Sequence, residues 1–283
     1  MDNKYVDLHV HTIYSDSNLS PRDLIEHAIK LELSAVAITD HDTTDGIEQT
    51  LKEADKYSLE IVPGVEISAA FDGSSENEIH ILGYYIDWQN EELQKKLSFF
   101  RKARIERAYK ILERLNLLGM KIKPEDVFNL TTKDASIGRL HFARILLQQK
   151  KVSSIKEAFE MYLGYGRPAF VPKIMFKTEE AISTIIKAKG IPVLAHPYIS
   201  IYNDIECLKK LIKQGIKGIE VFHSSHHKNI EEELMIIAEK YGLLITGGSD
   251  CHGKLDNFEP LLGSVKIPYT YLENLKIYKE RLI

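Results

Sequence analysis

The residues with chemistry to offer are imidazoles and carboxylates, and they recur at strand-like spacings along the whole chain. Asp7, His9 and His11 alternate within the run Tyr5–His11. Residues two apart on a strand project from one face, so these three share a face while Leu8 and Val10 take the other. Asp16 follows in the next loop, and His41, flanked by Asp40 and Asp42, closes the run Ala35–Thr39. Glu66 ends Val62-Pro63-Gly64-Val65-Glu66, His80 lies in Ile79–Tyr85, and His196 ends Leu194-Ala195-His196-Pro197. Asp250 and His252 follow Leu243–Gly247. A lone histidine in an apolar run is ordinarily a satisfied core residue. Nine imidazoles and carboxylates at the ends of apolar runs are another matter, since each is costly to bury without a partner. Divalent cations satisfy them together, which makes His9, His11, Asp16, His41, Glu66, His80, His196, Asp250 and His252 the candidate metal ligands. The set is nitrogen and oxygen without thiolate, which suits Zn, Mn or Fe and excludes a structural Cys-zinc site. Cys251, between Asp250 and His252, faces the other way on a strand and reads as packing.

The elements that must position these groups alternate between strand and helix. Candidate strands are Tyr5–His11, Ala35–Thr39, Glu60–Ile67, Ile79–Tyr85, Ile191–Ala195, Gly218–Phe222 and Leu243–Gly247, with Ser264–Ile267 a weaker eighth. Most are continuous apolar runs, as expected of strands buried on both faces of a parallel sheet. Ser20-Pro21 supplies an N-cap and N1 for a helix to Leu31. Thr178-Glu179-Glu180 opens another before Ala181–Ala188, and Asn203–Gln214 and Asn229–Tyr241 complete the set. Such alternation predicts an α/β barrel or a doubly wound sheet. The candidate ligands cluster at the C-terminal ends of the strands, where barrel active sites are built.

Residues 90–166 break the pattern. They hold helical periodicities only, over Glu91–Gly119, Lys123–Phe128, Ser136–Gln149 and Ser154–Leu163. In the first, Phe100, Ala108, Ile111, Leu112, Leu115 and Leu118 fall on one side. The expectation is an all-helical insertion between two barrel strands, serving as a lid or substrate-binding subdomain, with the barrel in residues 1–89 and 167–283.

Composition excludes several classes. The 283 residues carry 37 basic and 41 acidic side chains, a net charge of −4, with 44% hydrophobic residues. This is a folded globular chain rather than a disordered or fibrous one. Its overall charge gives no bulk attraction to duplex DNA. The longest apolar runs are strand-sized, well short of the roughly 20 residues a membrane helix needs. The start, MDNKYVDLHVHT, has no basic and apolar leader pattern. Cys207 and Cys251 cannot build a disulfide scaffold, so a reduced cytoplasm is expected.

Taken in order, His9-Val10-His11, Thr39-Asp40-His41-Asp42, Gly64-Val65-Glu66, Ala195-His196-Pro197 and Ser249-Asp250-Cys251-His252 resemble the successive motifs of the PHP (polymerase and histidinol phosphatase) superfamily. The resemblance runs over nearly the whole chain. It is strongest to stand-alone phosphoesterases that act on nucleoside 3′,5′-bisphosphates and on short RNA or DNA from the 5′ end. Ile137-Gly138-Arg139-Leu140-His141-Phe142-Ala143-Arg144 and Tyr162-Leu163-Gly164-Tyr165-Gly166 are similar to the helical insertion of that branch. The resemblance implies a distorted (β/α)7 barrel with two or three divalent ions (Mn, Zn or Fe). In it His9, His11, Glu66 and Asp250 hold the first ion. Glu66 bridges to a second, completed by His80 and His196, and Asp16, His41 and His252 hold a third.

The chemistry implied is hydrolysis of a nucleotide phosphoester by water activated at the ions. Asp7, Asp40 and Asp42 are candidates for fixing the imidazoles, with loop capping the alternative for Asp40 and Asp42. Arg139 and His141 are candidates for gripping the substrate phosphate, the alternative being a surface pair at a helix start. His223, just past Gly218–Phe222, is placed to protonate a leaving oxygen or bind phosphate. His226 and His227 read as solvated loop. Arg101, Arg104 and Arg107 span about 120° of helix surface, either a solvated face or a basic wall along an oligonucleotide. The expected partner is a nucleotide or short single-stranded oligonucleotide, with no membrane or duplex DNA; the oligomeric state stays open. The rival classes are a histidinol-phosphate phosphatase, a metal-dependent amidohydrolase and a non-catalytic metal-binding module. The helical insertion disfavours the first. Glu66 stands where the second would carry a modified lysine, and a full set of ligand positions disfavours the third.

Overall fold

The computed structural model describes residues 4–71, 78–130, 132, 135–201, 204–254 and 259–282. Its strands are β1 (Tyr5–Val10), β2 (Leu33–Ile38), β3 (Glu60–Ala70), β4 (Glu78–Tyr84), β5 (Phe176–Lys177), β6 (Ile191–Leu194), β7 (Gly218–His223), β8 (Leu244–Gly248) and β9 (Ile267–Pro268). They run in the order β8-β7-β6-β4-β3-β2-β1-β9, with the short β5 paired to β3. The two sides of this sheet meet at the mouth. Cys251, just past β8, bridges in parallel to Val10, and the His11 amide donates to the Cys251 carbonyl at 3.1 Å. Seven strands, β1 to β4 and β6 to β8, therefore make a nearly closed α/β barrel, the distorted (β/α)7 architecture expected.

The distortion has a specific source. β4 runs antiparallel to both neighbours, β3 and β6, whereas the other barrel pairings are parallel. The all-parallel expectation fails at this strand because a continuous apolar run carries no information about direction. The reversal matters for the site: Ser68 near the end of β3 pairs with His80 near the start of β4. His80 thus reaches the same mouth as groups from the C-terminal ends of the other strands. The weak strand expected at Ser264–Ile267 is instead β9, a two-residue antiparallel edge on β1.

Around the barrel lie α1 (Pro21–Lys30), α2 (Asp45–Ala54), α7 (Thr178–Lys187), α8 (Pro197–Ser200), α9 (Ile205–Gln214), α10 (Lys228–Tyr241) and α11 (Tyr269–Glu280). α1 starts where its sequence says. Ser20 Oγ accepts from the Asp23 amide at 3.2 Å and the Asp23 carboxylate accepts from the Ser20 amide at 3.3 Å, a reciprocal cap. α9 is capped by Asp204, whose side chain accepts from the Cys207 amide; the expected start at Asn203 lies outside the described residues. α11 sends Leu272 and Leu275 into a cluster with Val6, Leu8, Val62, Leu82 and Val193 of the strands.

Between β4 and β5 come α3 (Glu91–Leu117), α4 (Pro124–Phe128), α5 (Arg139–Gln148), α6 (Ile155–Ala158) and a π-helical turn, Phe159–Leu163. α3 serves two cores. Leu93, Leu97 and Phe100 join the barrel's apolar cluster, Phe100 stacking on Phe176 with ring centroids 3.8 Å apart. Ala108, Ile111, Leu112 and Leu115 join a second cluster with Phe142, Ile145, Leu146 and Leu163. Leu118, expected on that face, is the exposed C-cap. Among the described residues, no helix is long and apolar enough to cross a membrane.

Candidate metal centre

Glu66, fully buried at the mouth, is the hub. Its Oε2 faces His41 Nδ1 at 2.9 Å, His11 Nε2 at 3.3 Å and His9 Nε2 at 3.4 Å. Its Oε1 faces His80 Nδ1 at 2.7 Å and His196 Nε2 at 3.0 Å. Asp250 Oδ1 lies 3.0 Å from His11 Nε2 and 3.3 Å from His9 Nε2. Asp16 lies 3.1 Å from His252 Nε2 and 3.9 Å from His41 Nε2. All nine residues singled out by spacing thus converge on one mouth, from seven separate stretches of chain. Their donor atoms form overlapping groups, within 4.8 Å of one another: His9, His11, Glu66 and Asp250; His41, Glu66 and His80; His11, Asp16, His41 and His252.

Each of several rings turns one nitrogen into the cluster while a partner fixes the other from behind. His9 Nδ1 pairs with Glu220 Oε1 at 2.9 Å, which leaves Nε2 facing Glu66 and Asp250. His80 Nε2 pairs with Glu78 at 2.9 Å, and His252 Nδ1 with the Asp250 carbonyl at 2.8 Å. Such outer partners set the tautomer that presents a lone pair to a metal. Glu220 has a second task, accepting from the His196 amide at 2.7 Å. That amide belongs to a residue with φ +27°, and Asp250 has φ +54°. These left-handed conformations are uncommon for residues with a Cβ, and they concentrate where side chains must be aimed rather than packed.

The donor set fits a cation. His9 Nε2, His41 Nδ1, His196 Nδ1, Asp16 Oδ1 and Glu66 Oε2 are buried without a hydrogen bond of acceptable geometry. Burial alone would raise the Glu66 carboxyl, but the imidazoles of His41, His80 and His9 hold it well below the usual carboxylate range. Asp250 behaves alike: burial is outweighed by His9 and His252. Conversely, burial would depress His11 and His80, yet Asp250 and Glu66 push His11 up to about 10, and Glu66 and Glu78 push His80 up to about 9. Protons on imidazoles thus balance the buried carboxylates, the task a divalent ion performs with the same atoms.

A cleft of about 230 Å³ opens beside the cluster. Asp16, His41, His80 and His252 line it, together with Glu78 and four cations, Arg104, Arg107, Arg139 and Lys173. Burial, then the charges of Arg139 and Arg104, lower Arg107 to about 9. Burial, then the charge of Arg104, lower Lys173 to about 8 despite its ion pair with Glu78. Cations crowded in this way favour an incoming anion. Arg139 is further held with its guanidinium 5.6 Å from the Phe159 ring centroid and 5.7 Å from that of Phe170.

Several sequence expectations are corrected. Asp7 holds no imidazole: its carboxylate accepts from the Ser249 amide and hydroxyl and from the Gly263 amide, tying β1 to the loops beyond β8. Asp40 caps the loop after β1 through the Thr12 amide (2.7 Å), the Thr12 hydroxyl and Ser15 Oγ. Ser15 Oγ lies 3.4 Å from His11 Nδ1, so Asp40 meets that ring at one remove. Gly46 of α2 has no room for a Cβ, which would fall 2.7 Å from Asp40 Oδ2. Asp42 pairs with Arg104 of α3, Nε donating at 2.9 Å. His141 is fully buried, its Nδ1 accepting from the Gly138 amide at 3.1 Å, so it caps α5 rather than facing the cleft. Arg104 and Arg107 are buried in the lining of the cleft, so they form no solvated face, and Arg101 is paired to Asp45 at 3.0 Å. His226 is buried rather than solvated, with Nδ1 on the Val221 carbonyl. His223 does reach the cluster, its Nε2 3.4 Å from Asp250 Oδ2 and its Nδ1 accepting from the Ser225 amide.

Sequence reading passed over Glu220, Glu78 and Lys173. A carboxylate inside the apolar run Gly218–Phe222 was a usable signal for the first, by the same burial argument that marked the histidines. Lys173, inside the apolar run Ala169–Phe176, offered the same kind of signal, whereas Glu78 follows a polar stretch with no pattern to distinguish it.

Comparison with known proteins agrees with this geometry. The PHP domain model matches residues 7–165. The 5′-3′ exoribonuclease Rnm of Escherichia coli is 34% identical over 253 residues, 87% of this chain and 84% of that protein. A 3′,5′-nucleoside bisphosphate phosphatase of Chromobacterium violaceum is 31% identical over 255 residues, 87% of each chain. A crystal structure from Bifidobacterium adolescentis, assigned as a metal-dependent phosphoesterase, superimposes with a TM-score of 0.88 at 30% identity, covering 96% of this chain and 95% of its own. The chain belongs to the PHP domain family.

Proposed function

We propose that this protein is a hydrolase of nucleotide phosphate esters, acting on a nucleoside 3′,5′-bisphosphate or a short 5′-phosphorylated oligonucleotide with two or three divalent ions (Mn, Zn or Fe). The observation that carries the reading is one buried carboxylate, Glu66, flanked on both oxygens by imidazoles, two of which (His41 and His80) line a cleft that four cations also line. The names of the E. coli and C. violaceum relatives agree with it.

In this reading His9, His11, Glu66 and Asp250 hold one ion, Glu66, His80 and His196 a second, and Asp16, His41 and His252, with His11 beside them, a third. Bound there, such ions supply an acidified water and neutralise charge on phosphoryl oxygens. The chain's own residues do the rest. Arg104, Arg107, Arg139 and Lys173 bind and orient the phosphate within the cleft. His223, its Nδ1 accepting from the Ser225 amide and its Nε2 3.4 Å from Asp250 Oδ2, steadies that carboxylate or protonates a leaving oxygen. Residues 90–166 act as a substrate-binding subdomain on a barrel formed by 1–89 and 167–283. A cleft of this volume has room for a phosphate and its sugar, and Leu140 and Phe159 add apolar surface to its lining.

The test is elemental analysis followed by a phosphate-release panel of a nucleoside 3′,5′-bisphosphate, 5′-mononucleotides, short 5′-phosphorylated RNA and histidinol phosphate. Metal-dependent release from the bisphosphate or the RNA is expected. Bound metal with release from histidinol phosphate alone, or from none of the four, overturns the reading.

A further inference from the structure

The ligand groups draw on both strands and loops. His9, Glu66 and His80 sit on β1, β3 and β4, inside hydrogen-bonded ladders. Asp16 and His252 do not, and neither do His11, His196 and Asp250 of the other two groups: β1 ends at Val10, β6 at Leu194 and β8 at Gly248, so all five are carried by loops. The third group draws two of its ligands from the Asp16 and His252 loops. Two devices hold those loops together beyond the Cys251 bridge. One is local. Asn18 Oδ1 accepts from the Lys254 amide and Asn18 Nδ2 donates to the Lys254 carbonyl, both at 2.9 Å. Gly253 permits this approach: its φ is +78°, and a Cβ there would lie 1.9 Å from Asn18 Oδ1.

The other device comes from the insertion. Arg144, on α5, donates through one terminal nitrogen to the Asp16 carbonyl and through the other to the His252 carbonyl, the latter at 2.7 Å. A planar guanidinium fixes the spacing of its two acceptors in a way that a lysine cannot. The same segment also presses on the Asp16 loop from Ser136, whose amide donates to the Tyr14 carbonyl at 3.0 Å, and from Gly138, where a Cβ would lie 3.2 Å from Asp16 Oδ2.

We propose that Arg144 is a positioning residue for the Asp16–His41–His252 ion, so that the helical insertion completes that site and no other. The inference rests on the three-ion reading of the proposed function. It also places two tasks on one helix: Arg139, in the first turn of α5, faces the cleft, and Arg144, further along the same helix, holds the loops of the third site.

The test is Mn²⁺ titration of the metal-free full chain, followed by spin resonance and elemental analysis, on wild type, Arg144→Met, Arg144→Lys and Asp16→Asn. Wild type should take three ions. Arg144→Met should weaken the third roughly 10–100-fold, as loss of outer support does, and leave the first two within about twofold, matching Asp16→Asn in stoichiometry. Arg144→Lys, which reaches one carbonyl at a time, should fall between and keeps the test alive if the methionine variant does not fold. Unchanged circular dichroism of the metal-free variants separates positioning from folding. Three ions at wild-type affinity in both Arg144 variants overturns the positioning role alone. A wild-type chain that never exceeds two overturns the three-ion reading beneath it.

Discussion

Replacing Glu220 with glutamine is the sharpest perturbation of the ligand set that leaves every proposed ligand in place. Two buried donors converge on this carboxylate: the His9 ring through Nδ1 at 2.9 Å and the His196 amide at 2.7 Å. A carboxylate accepts from both, but an amide of the same shape has one acceptor oxygen and one NH₂. If the NH₂ faces His9, the ring must move its proton to Nε2 and forfeit the lone pair directed at Glu66 and Asp250. If it faces His196, a backbone N–H is left against another donor in a fully buried pocket. Leaving one such donor unsatisfied costs about 1–3 kcal/mol. At about 1.4 kcal/mol per tenfold, that corresponds to roughly 5–150-fold in metal affinity, overlapping the 10–100-fold typical of outer-partner losses. Chelator competition on Glu220→Gln should therefore show weakened metal retention, and turnover should recover as added metal is raised. Unchanged chelator sensitivity, with unchanged turnover at limiting metal, would refute the claim that Glu220 sets the His9 tautomer.

The same geometry carries three further expected outcomes. Arg139→Ala should raise KM for a nucleotide substrate about 10–100-fold, the range for a lost charge-assisted hydrogen bond, with metal content unchanged; a change in metal content without a change in KM would contradict it. Asp42→Ala leaves Arg104 buried beside Lys173 without its carboxylate, and urea denaturation should show a loss of about 3–5 kcal/mol; a loss under about 1 kcal/mol, the worth of an exposed pair, would mean that it is not what joins α3 to the barrel. Metal loading should release protons: with His11 raised to about 10 and His80 to about 9, both are charged at about pH 8 in the metal-free protein and must become neutral to ligate. Apparent affinity should therefore rise with pH until those values are passed, and calorimetric heats should scale with buffer ionisation enthalpy; buffer-independent heats would contradict this.

The site was legible because its chemistry conflicts with its surroundings. His9 and His11 stand two apart in a run that packs on both sides, and Glu66 closes the uncharged run Ile61-Val62-Pro63-Gly64-Val65, so each announces a partner from sequence alone. Strand direction was not legible, because β4 reads as apolar either way round, and only its pairing shows that His80 arrives from the opposite sense. The helices α2 and α11 escaped notice for local reasons: α2 begins after the Thr43-Thr44 loop with Gly46 in its first turn, and α11 carries three tyrosines among its twelve residues. Burial of Arg104, Arg107 and His141 depends on which way long helices lie on the barrel, a tertiary fact with no local trace. The corrections to Asp7 and Asp40 have a common cause. Both carboxylates face the right region, but nearby amides and hydroxyls satisfy them before any imidazole can.

Crystals of the protein loaded with Mn²⁺, measured at the manganese absorption edge, address the central claim most directly. The account predicts anomalous peaks on both sides of Glu66, one shared with His9, His11 and Asp250 and another with His80 and His196. A map without a peak in coordinating range of Glu66, its oxygens bonded only to protonated imidazoles, would contradict it.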